Sequence, residues 1–504
     1  MTDAPLTYPD AEPLDPEDVA ACLRVLGRVH EFPEDHPDFV AVRRATGKMF
    51  KAVKKYRRDI ARSSVRDHDR EILEATATAS PERIDDETRG SQLTSRATTR
   101  VAGHLKVARG CYICKEPYTQ VDSFYHALCP ACADFSHGKR EARTDLSGRR
   151  ALLTGGRAKI GMHIALRLLR DGAHTTITTR FPNDAARRYA QMPDAADWLH
   201  RLDIVGIDLR DPAQVIALTD RLSAEGPLDI IINNAAQTVR RSAGAYSAII
   251  AQEDQALPAE LPAAGGGTLP APRTTTLGRA HERHPIGVAG QLASPDSHAV
   301  LGAAPVLPVD VARAGIEMGH ASLERHEAGT AIDAGGLIPD TATSNSWTQT
   351  VSQVDALELL EVQLCNVTAP FLIVSRLRGA LKASPRARTY VVNVSAMEGQ
   401  FGGRRYKGAG HPHTNMAKAS LNMLTRTSAQ EMFESDGILM TSVDTGWITD
   451  ERPHEDKLRM AREGWSAPLD LVDGAARVYD PIVRGEAGED LYGVFLKDYK
   501  PVPW

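Results

Sequence analysis

The chain has 504 residues, 42% of them apolar and 25% charged, with a net charge of −5 at pH 7. That is long enough for two or three domains with a sizeable core, and the charge is too mild to dictate a strongly acidic or basic partner. The N-terminal MTDAPLTYPDAEPLDPED lacks the apolar segment of a secretory signal, and no stretch reads as apolar enough to span a bilayer, so the expectation is a cytoplasmic protein with no membrane partner.

Residues 1–75 read as a helical N-terminal region. Asp15 and Pro16 suit a helix start, and Val19, Cys22, Leu23 and Leu26 form one apolar stripe. A second helix is predicted after Asp38, with Met49, Phe50, Val53, Tyr56 and Ile60 on its buried side. Its other positions are basic: Arg43, Arg44, Lys48, Lys51, Lys54, Lys55, Arg57, Arg58, Arg62 and Arg66. Such a run can track a phosphate backbone, but it is more often a solvated face, and the acidic DHDREILE follows at once. The reading therefore favours an intramolecular or protein contact over nucleic acid. Residues 76–105 are polar and aperiodic and read as a linker.

A cysteine module is expected over 106–142. Cys111-x2-Cys114-x14-Cys129-x2-Cys132 offers four thiolates in two knuckles, the pattern of a closed tetrahedral site. Soft ligands and closed geometry favour structural zinc, with an iron–sulfur cluster as the lesser alternative. His126 and His137 are not needed as ligands, and Tyr118, Phe124 and Tyr125 are expected to pack around the site. The module either caps the following domain or grips a protein partner. The other cysteines, Cys22 and Cys365, read as buried thiols, and this usage suits a reducing compartment.

From Leu146 the pattern becomes strand–helix alternation. RRALLTGG, HTTITTR, RLDIVGIDLRD and LDIIINNAA are strands separated by helical segments, which predicts an α/β domain with a doubly wound parallel sheet over 146–504. The alternation lapses at about 240–341, which reads as a low-complexity insertion. It resumes with a long helix at 353–383, the strand RTYVVNVSA, a helix after His413 and the strand ILMTSVDTG.

LLTGGRAKIG joins the first strand to the first helix, where a dinucleotide pyrophosphate needs close backbone approach and free N–H groups. The second strand ends at Arg180, where an NAD site usually keeps an acid. With Arg157 and Lys159 in the turn, three cations converge on that corner, which favours the 2′-phosphate of NADP over NAD.

These motifs resemble the short-chain dehydrogenase/reductase family. The resemblance places Thr154, Gly155, Ile160 and Gly161 in the glycine turn, Asp208 and Leu209 at the adenine, and Asn234 and Ala235 in the Asn-Asn-Ala strand end. It makes Asn366 the structural asparagine, Lys418 the lysine that also holds the nicotinamide ribose, and Gly446 and Thr449 the segment after the sixth strand. It breaks at the middle glycine of the turn, which is Lys159, and at the proline before Gly446, which is Thr445. The serine position is Ala396, with Ser395 expected on the other strand face, and the tyrosine position is Thr414. The family's phenol protonates the carbonyl oxygen, and a threonine hydroxyl is too weak an acid to replace it. Tyr406 or His413 could supply a substitute acid beside Asn366 and Lys418.

Two expectations follow. One is an NADP(H)-binding oxidoreductase acting on an unidentified carbonyl or alcohol with a non-standard proton donor. The other is a catalytically silent scaffold or sensor that engages a partner through its cysteine module. The resembled family often assembles through the helices carrying Asn366 and Lys418, so a homo-oligomer is also in view.

Overall fold

The computed structural model describes residues 13–81, 83, 93–241, 246–278, 337, 343–402, 407–448 and 451–504. The chain divides into two units, Met1–Glu71 and Ile72–Trp504. The first holds α1 (Pro16–Arg28) and most of α2 (Pro37–Glu74). Asp15 caps α1 by accepting the Glu17 amide at 2.8 Å. Neither helix buries a side chain. Leu23, Met49, Phe50 and Tyr56, expected on buried faces, are exposed, and so is Cys22. Periodicity identified these helices, but an apolar stripe is buried only when another layer covers it.

In the second unit the cysteine module opens with the antiparallel pair β1 (Val101–Gly110) and β2 (Pro117–Asp122), followed by α3 (Pro130–Glu141). The segment expected as a linker over 76–105 is therefore partly built into the module. Val101 begins β1, and Thr78 donates its amide to Phe124 O at 2.9 Å and bonds His126 Nδ1 through its hydroxyl at 2.8 Å. Polar, aperiodic sequence can be ordered where its hydrogen bonds go to a neighbouring turn.

The main sheet runs β13-β12-β11-β10-β6-β3-β4-β5-β9. Its central strands are β3 (Arg150–Leu153), β4 (His174–Thr179), β5 (Leu202–Gly206), β6 (Ile230–Asn233), β10 (Thr389–Ser395) and β11 (Ile438–Asp444), all paired in parallel. β6, β10 and β11 are buried along their whole length, as strands covered on both faces must be. α4 (Lys159–Arg170) and α12 (Leu471–Glu486) cover one face. α7 (Pro212–Ala224), α9 (Ala356–Lys382) and α10 (Pro412–Asp436) cover the other. α5 (Pro182–Ala190) and the short α6 (Ala195–Trp198) follow β4, and α11 (His454–Arg462) precedes α12. The edge strands β12 (Phe495–Lys497) and β13 (Lys500–Val502) form a terminal hairpin.

Two readings of the sequence need correction here. The stretch 240–341 is not low-complexity throughout: its described part contains α8 (Ser247–Glu253), the hairpin β7 (Glu260–Pro262) and β8 (Thr268–Pro270), and β9 (Arg273–Thr276). β9 pairs in parallel with β5, and Arg273 Nε donates to Asp203 Oδ1 at 2.7 Å. Such a short, polar edge strand leaves little apolar alternation to read. Second, α9 is long and apolar enough by composition to cross a membrane. Half of its most apolar window is buried, and Ile373, Val374, Leu377 and Leu381 belong to the core beneath the sheet.

A buried ion triad ties the loop after β5 to α9. Arg210 Nη2 lies 2.6 Å from Asp208 Oδ2, and its Nη1 lies 2.7 Å from Glu361 Oε1. Arg210→Met would strand two buried carboxylates, and the expected loss is about 3–5 kcal/mol of stability. Urea unfolding of the mutant and wild type measures it.

Candidate active site

A cleft of about 1370 Å³ lies beyond the carboxyl ends of the parallel strands and extends across the point where strand order reverses between β3 and β6. Its floor is the turn from β3 into α4. Thr154 Oγ1 accepts the amides of Asn234 and Ala235, each at 3.0 Å. Asn234 Nδ2 donates to Thr154 O at 3.0 Å and to Gly155 O at 3.1 Å. A Cβ on Gly161 would stand 1.9 Å from Gly155 O, and one on Gly155, whose φ is +72°, would stand 2.9 Å from Ala235 Cα. The packing therefore demands glycine at both positions. α4 starts at Ala158 without a side-chain cap, leaving its first N–H groups for an anion. Lys159 lines the cleft and holds the left-handed conformation, φ +56°, that a glycine would adopt more cheaply. Its Nζ lies 3.6 Å from Glu451 Oε1, and Ile160 packs against the cysteine module.

At the end of β4 the Arg180 guanidinium lies over the rings of Phe181 and Tyr246, 5.5 and 5.2 Å from their centroids. Tyr246 belongs to the insertion. Burial opposes ionisation of its phenol most strongly, but the charge and hydrogen bond of Arg180 together with the charges of Arg241 and Arg210 outweigh it and hold the phenol below its ordinary value. Among the described residues no carboxylate pairs with Arg180. Arg157 instead is tied to Asp184, Nη1 to Oδ2 at 2.6 Å. Asp208 and Leu209 border the same end of the cleft, with Asp208 locked in the Arg210 triad.

At the other end, Asn366 sits in a π-turn, Leu364–Thr368, that interrupts α9. Its Oδ1 accepts the Gln237 amide at 2.7 Å and its Nδ2 donates to Gln237 O at 2.9 Å, so it fixes the chain after β6. Lys418 from α10 lines the cleft and donates to Val394 O at 2.8 Å. Burial pulls its ammonium down to about 8. Ser395, expected to face away, borders the cleft because it ends β10 where the sheet stops; its Oγ is buried and has no hydrogen-bond partner among the described residues. Thr414 and His413 are buried but border no part of the cleft. His413 Nε2 faces Glu358 Oε1 at 3.9 Å. Tyr406 and Thr449 lie outside the described residues. Gly446 lines the cleft with φ +78°.

The family model described as short chain dehydrogenase matches residues 149–252. An uncharacterized protein of Acanthamoeba polyphaga mimivirus is 29% identical over 74% of this chain and 71% of its own. A probable oxidoreductase of Streptomyces antibioticus is 37% identical over 91 residues, 18% of this chain and 30% of its own. Over residues 149–252 the Rossmann domain is similar to the short-chain dehydrogenase family. A short-chain dehydrogenase of Burkholderia cenocepacia, solved with NADP, has 18% identity and a TM-score of 0.40, covering 69% of this chain and 98% of its own.

The cleft is also lined by residues to which the reading of the sequence gave no role. His411 stacks on Trp347, with ring centroids 4.0 Å apart, and Glu398 follows β10. Asp444 ends β11. Its position at the carboxyl end of a parallel strand was the available signal. Tyr112 reaches the cleft from the cysteine module, and its hydroxyl accepts the Trp447 amide at 2.9 Å.

The module's four cysteine sulfurs all lie within 4.8 Å of one another, with Cys114 and Cys129 at 3.6 Å. Bonds of about 2.3 Å to a tetrahedral ion would set sulfurs about 3.8 Å apart, so the cluster fits one ion. His126 bonds Thr78, and His137 Nε2 lies 3.2 Å from Asp122 Oδ1, so neither is needed as a ligand. Tyr118 and Tyr125 are buried beside the cluster and Phe124 packs against them.

The depressed Lys418 pKa makes a stability prediction. Between about 8 and its ordinary 10.5 the unfolded chain binds a proton that the folded chain does not. Stability contributed at this site therefore rises with pH through that window and is lowest below it. Lys418→Met is expected to abolish that rise in thermal-melting curves recorded from pH 7 to 10.

Proposed function

We propose that the chain is an NADP(H)-dependent oxidoreductase acting on a carbonyl or alcohol substrate, with a proton donor other than the family's tyrosine. The carrying observation is Arg180, which lies over two aromatic rings at the ribose corner of a glycine-lined turn and has no carboxylate partner among the described residues. Arg180, Lys159 and the first N–H groups of α4 would hold the phosphates. Lys418 would hold the nicotinamide ribose, as the family resemblance implies. The bound dinucleotide would supply hydride chemistry. The chain's own part is to position a substrate oxygen, exclude water and deliver a proton.

Arg180→Asp is expected to weaken NADPH binding by at least about 30-fold, since a charge-assisted contact to phosphate is worth roughly 2 kcal/mol, while NADH binding changes little. Calorimetric titration with both nucleotides checks this; equal losses for both would sink the NADP assignment.

A second reading is favoured by one contact. Tyr112, between two cysteines of the module, bonds the amide of Trp447 at the cleft. A silent sensor would use this link to pass cofactor occupancy to a partner on the module. It predicts tight NADPH binding without turnover of any carbonyl in a broad panel.

The cysteines are proposed to hold one structural zinc ion. Metal analysis should give one zinc per chain, lost in Cys132→Ser. Because metal binding and folding of such a module are coupled, chelation should open residues 101–141 to protease.

A further inference from the structure

The oxidoreductase reading leaves the proton donor unnamed, and the inference here rests on that reading. The expected substitutes do not supply one: His413 is buried away from the cleft and Tyr406 lies outside the described residues. Ser395 Oγ is buried and unpartnered at the cleft, but an aliphatic hydroxyl can hold a substrate oxygen without giving up its proton readily. Directly across from it in the parallel β10–β11 register stands Asp444. Paired residues on adjacent strands lie about 4.8 Å apart, so Ser395 and Asp444 stand side by side at the sheet's end. Lys418 is anchored on Val394, the residue before Ser395, which brings the lysine to the same point. Both Ser395 and Asp444 line the cleft, and the Asp444 carboxyl accepts no hydrogen bond among the described residues.

We propose that Asp444 is the proton donor of this site, with Ser395 holding the substrate oxygen beside it.

Its surroundings suit the role. Burial disfavours the carboxylate, and Asp498 from the β12–β13 turn and Glu398 after β10 repel it. Lys497 of β12 and Arg477 of α12 act in the opposite sense, though Arg477 is already engaged by Asp498 at 3.2 Å. Tyr112 of the cysteine module and Lys418 of α10 complete the groups around it. The balance raises Asp444 to about 6, so that a useful fraction is a neutral acid near pH 7. In the reduction, a bound nicotinamide would supply a hydride to the carbonyl carbon, forming the C–H bond as the π pair moves onto oxygen, and would itself be oxidised. The Asp444 O–H bond breaks, its proton passes to that oxygen to complete the alcohol, and the carboxylate regains a proton from water. Oxidation runs the same path backwards.

The first test needs no substrate. The nicotinamide ring of NADP⁺ is positive and that of NADPH is neutral, whereas the 2′-phosphate is common to both. Calorimetry at pH 6 in buffers of different ionisation enthalpy counts the protons released on binding each. The wild type should release more with NADP⁺ than with NADPH, because the positive ring drives Asp444 to ionise. Lys418 titrates at higher pH, about 8, and so contributes little to this difference. In Asp444→Asn both nucleotides should still bind, and the difference should vanish. If it persists in the mutant, Asp444 is not the titrating group and the inference fails while the cofactor reading stands. If the wild type binds neither nucleotide, both fail. With 4-nitrobenzaldehyde as probe, Asp444→Asn should lower kcat by about 100-fold or more with KM for NADPH unchanged, and Asp444→Glu should recover part of it. Equal turnover by the Asn variant would overturn the proposal, and if the wild type does not reduce this aldehyde the proton count decides alone.

Discussion

The cleft depends on one close approach. The turn after β3 is pressed so tightly against the end of β6 that side chains are excluded at Gly155 and Gly161, and Thr154 and Asn234 lock the two together through reciprocal hydrogen bonds. This contact lies where strand order reverses, so it sets how wide the crevice opens and where the first N–H groups of α4 point. Behind it runs a buried polar chain. Asn233 donates to Asn393, Asn393 to Thr425, and Thr425 shares a hydrogen bond with Ser442, linking β6, β10, α10 and β11. A buried polar group costs less when it is hydrogen-bonded; in this network only Asn233 Oδ1 has no partner among the described residues, and the rest fixes the helix carrying Lys418 against the strands carrying Ser395 and Asp444.

The cysteine module is joined to the Rossmann domain by packing and by charge. Leu105, Tyr118 and Tyr125 share a core with Ile448, Leu469 and Leu471, and Ile160 of the glycine turn packs on its rim. Tyr125 donates to Asp473 at 2.6 Å, Arg140 pairs with Asp470 and Asp473, and Lys139 lies 2.5 Å from Asp480. These carboxylates all belong to α12 or its N-cap, which also covers the sheet. Anything that loosens the cysteine cluster is therefore felt at the helix beneath the site and, through Tyr112, at Trp447.

Charge is divided between the two ends of the cleft. Among the described residues Arg180 has no carboxylate partner at the β4 end, whereas Asp444, Glu398 and Asp498 gather near the β11 end. An anionic group is drawn to the first end, and carboxyl protonation is favoured at the second. The position that carries a phenol in the resembled family is here Thr414, which is buried, borders no part of the cleft and has no partner for its hydroxyl among the described residues.

Motifs of local geometry were legible in the sequence. The glycine turn, the buried strands, the helix bearing Asn366, the lysine on α10 and the paired cysteine knuckles each depend on residues near one another in the chain, and local spacing encodes them. Only the tertiary structure decided what depends on distant pairing. Whether the apolar stripes of α1 and α2 are covered, whether β9 joins the sheet, and whether Arg157 is tied up by Asp184 while Arg180 is not all turn on partners remote in sequence. The same holds for Asp444, an unremarkable aspartate in ILMTSVDTG until strand register sets it opposite Ser395 and folding crowds it with Glu398 and Asp498. A carboxyl's acidity is a property of its surroundings, and those surroundings come from four separate stretches of chain.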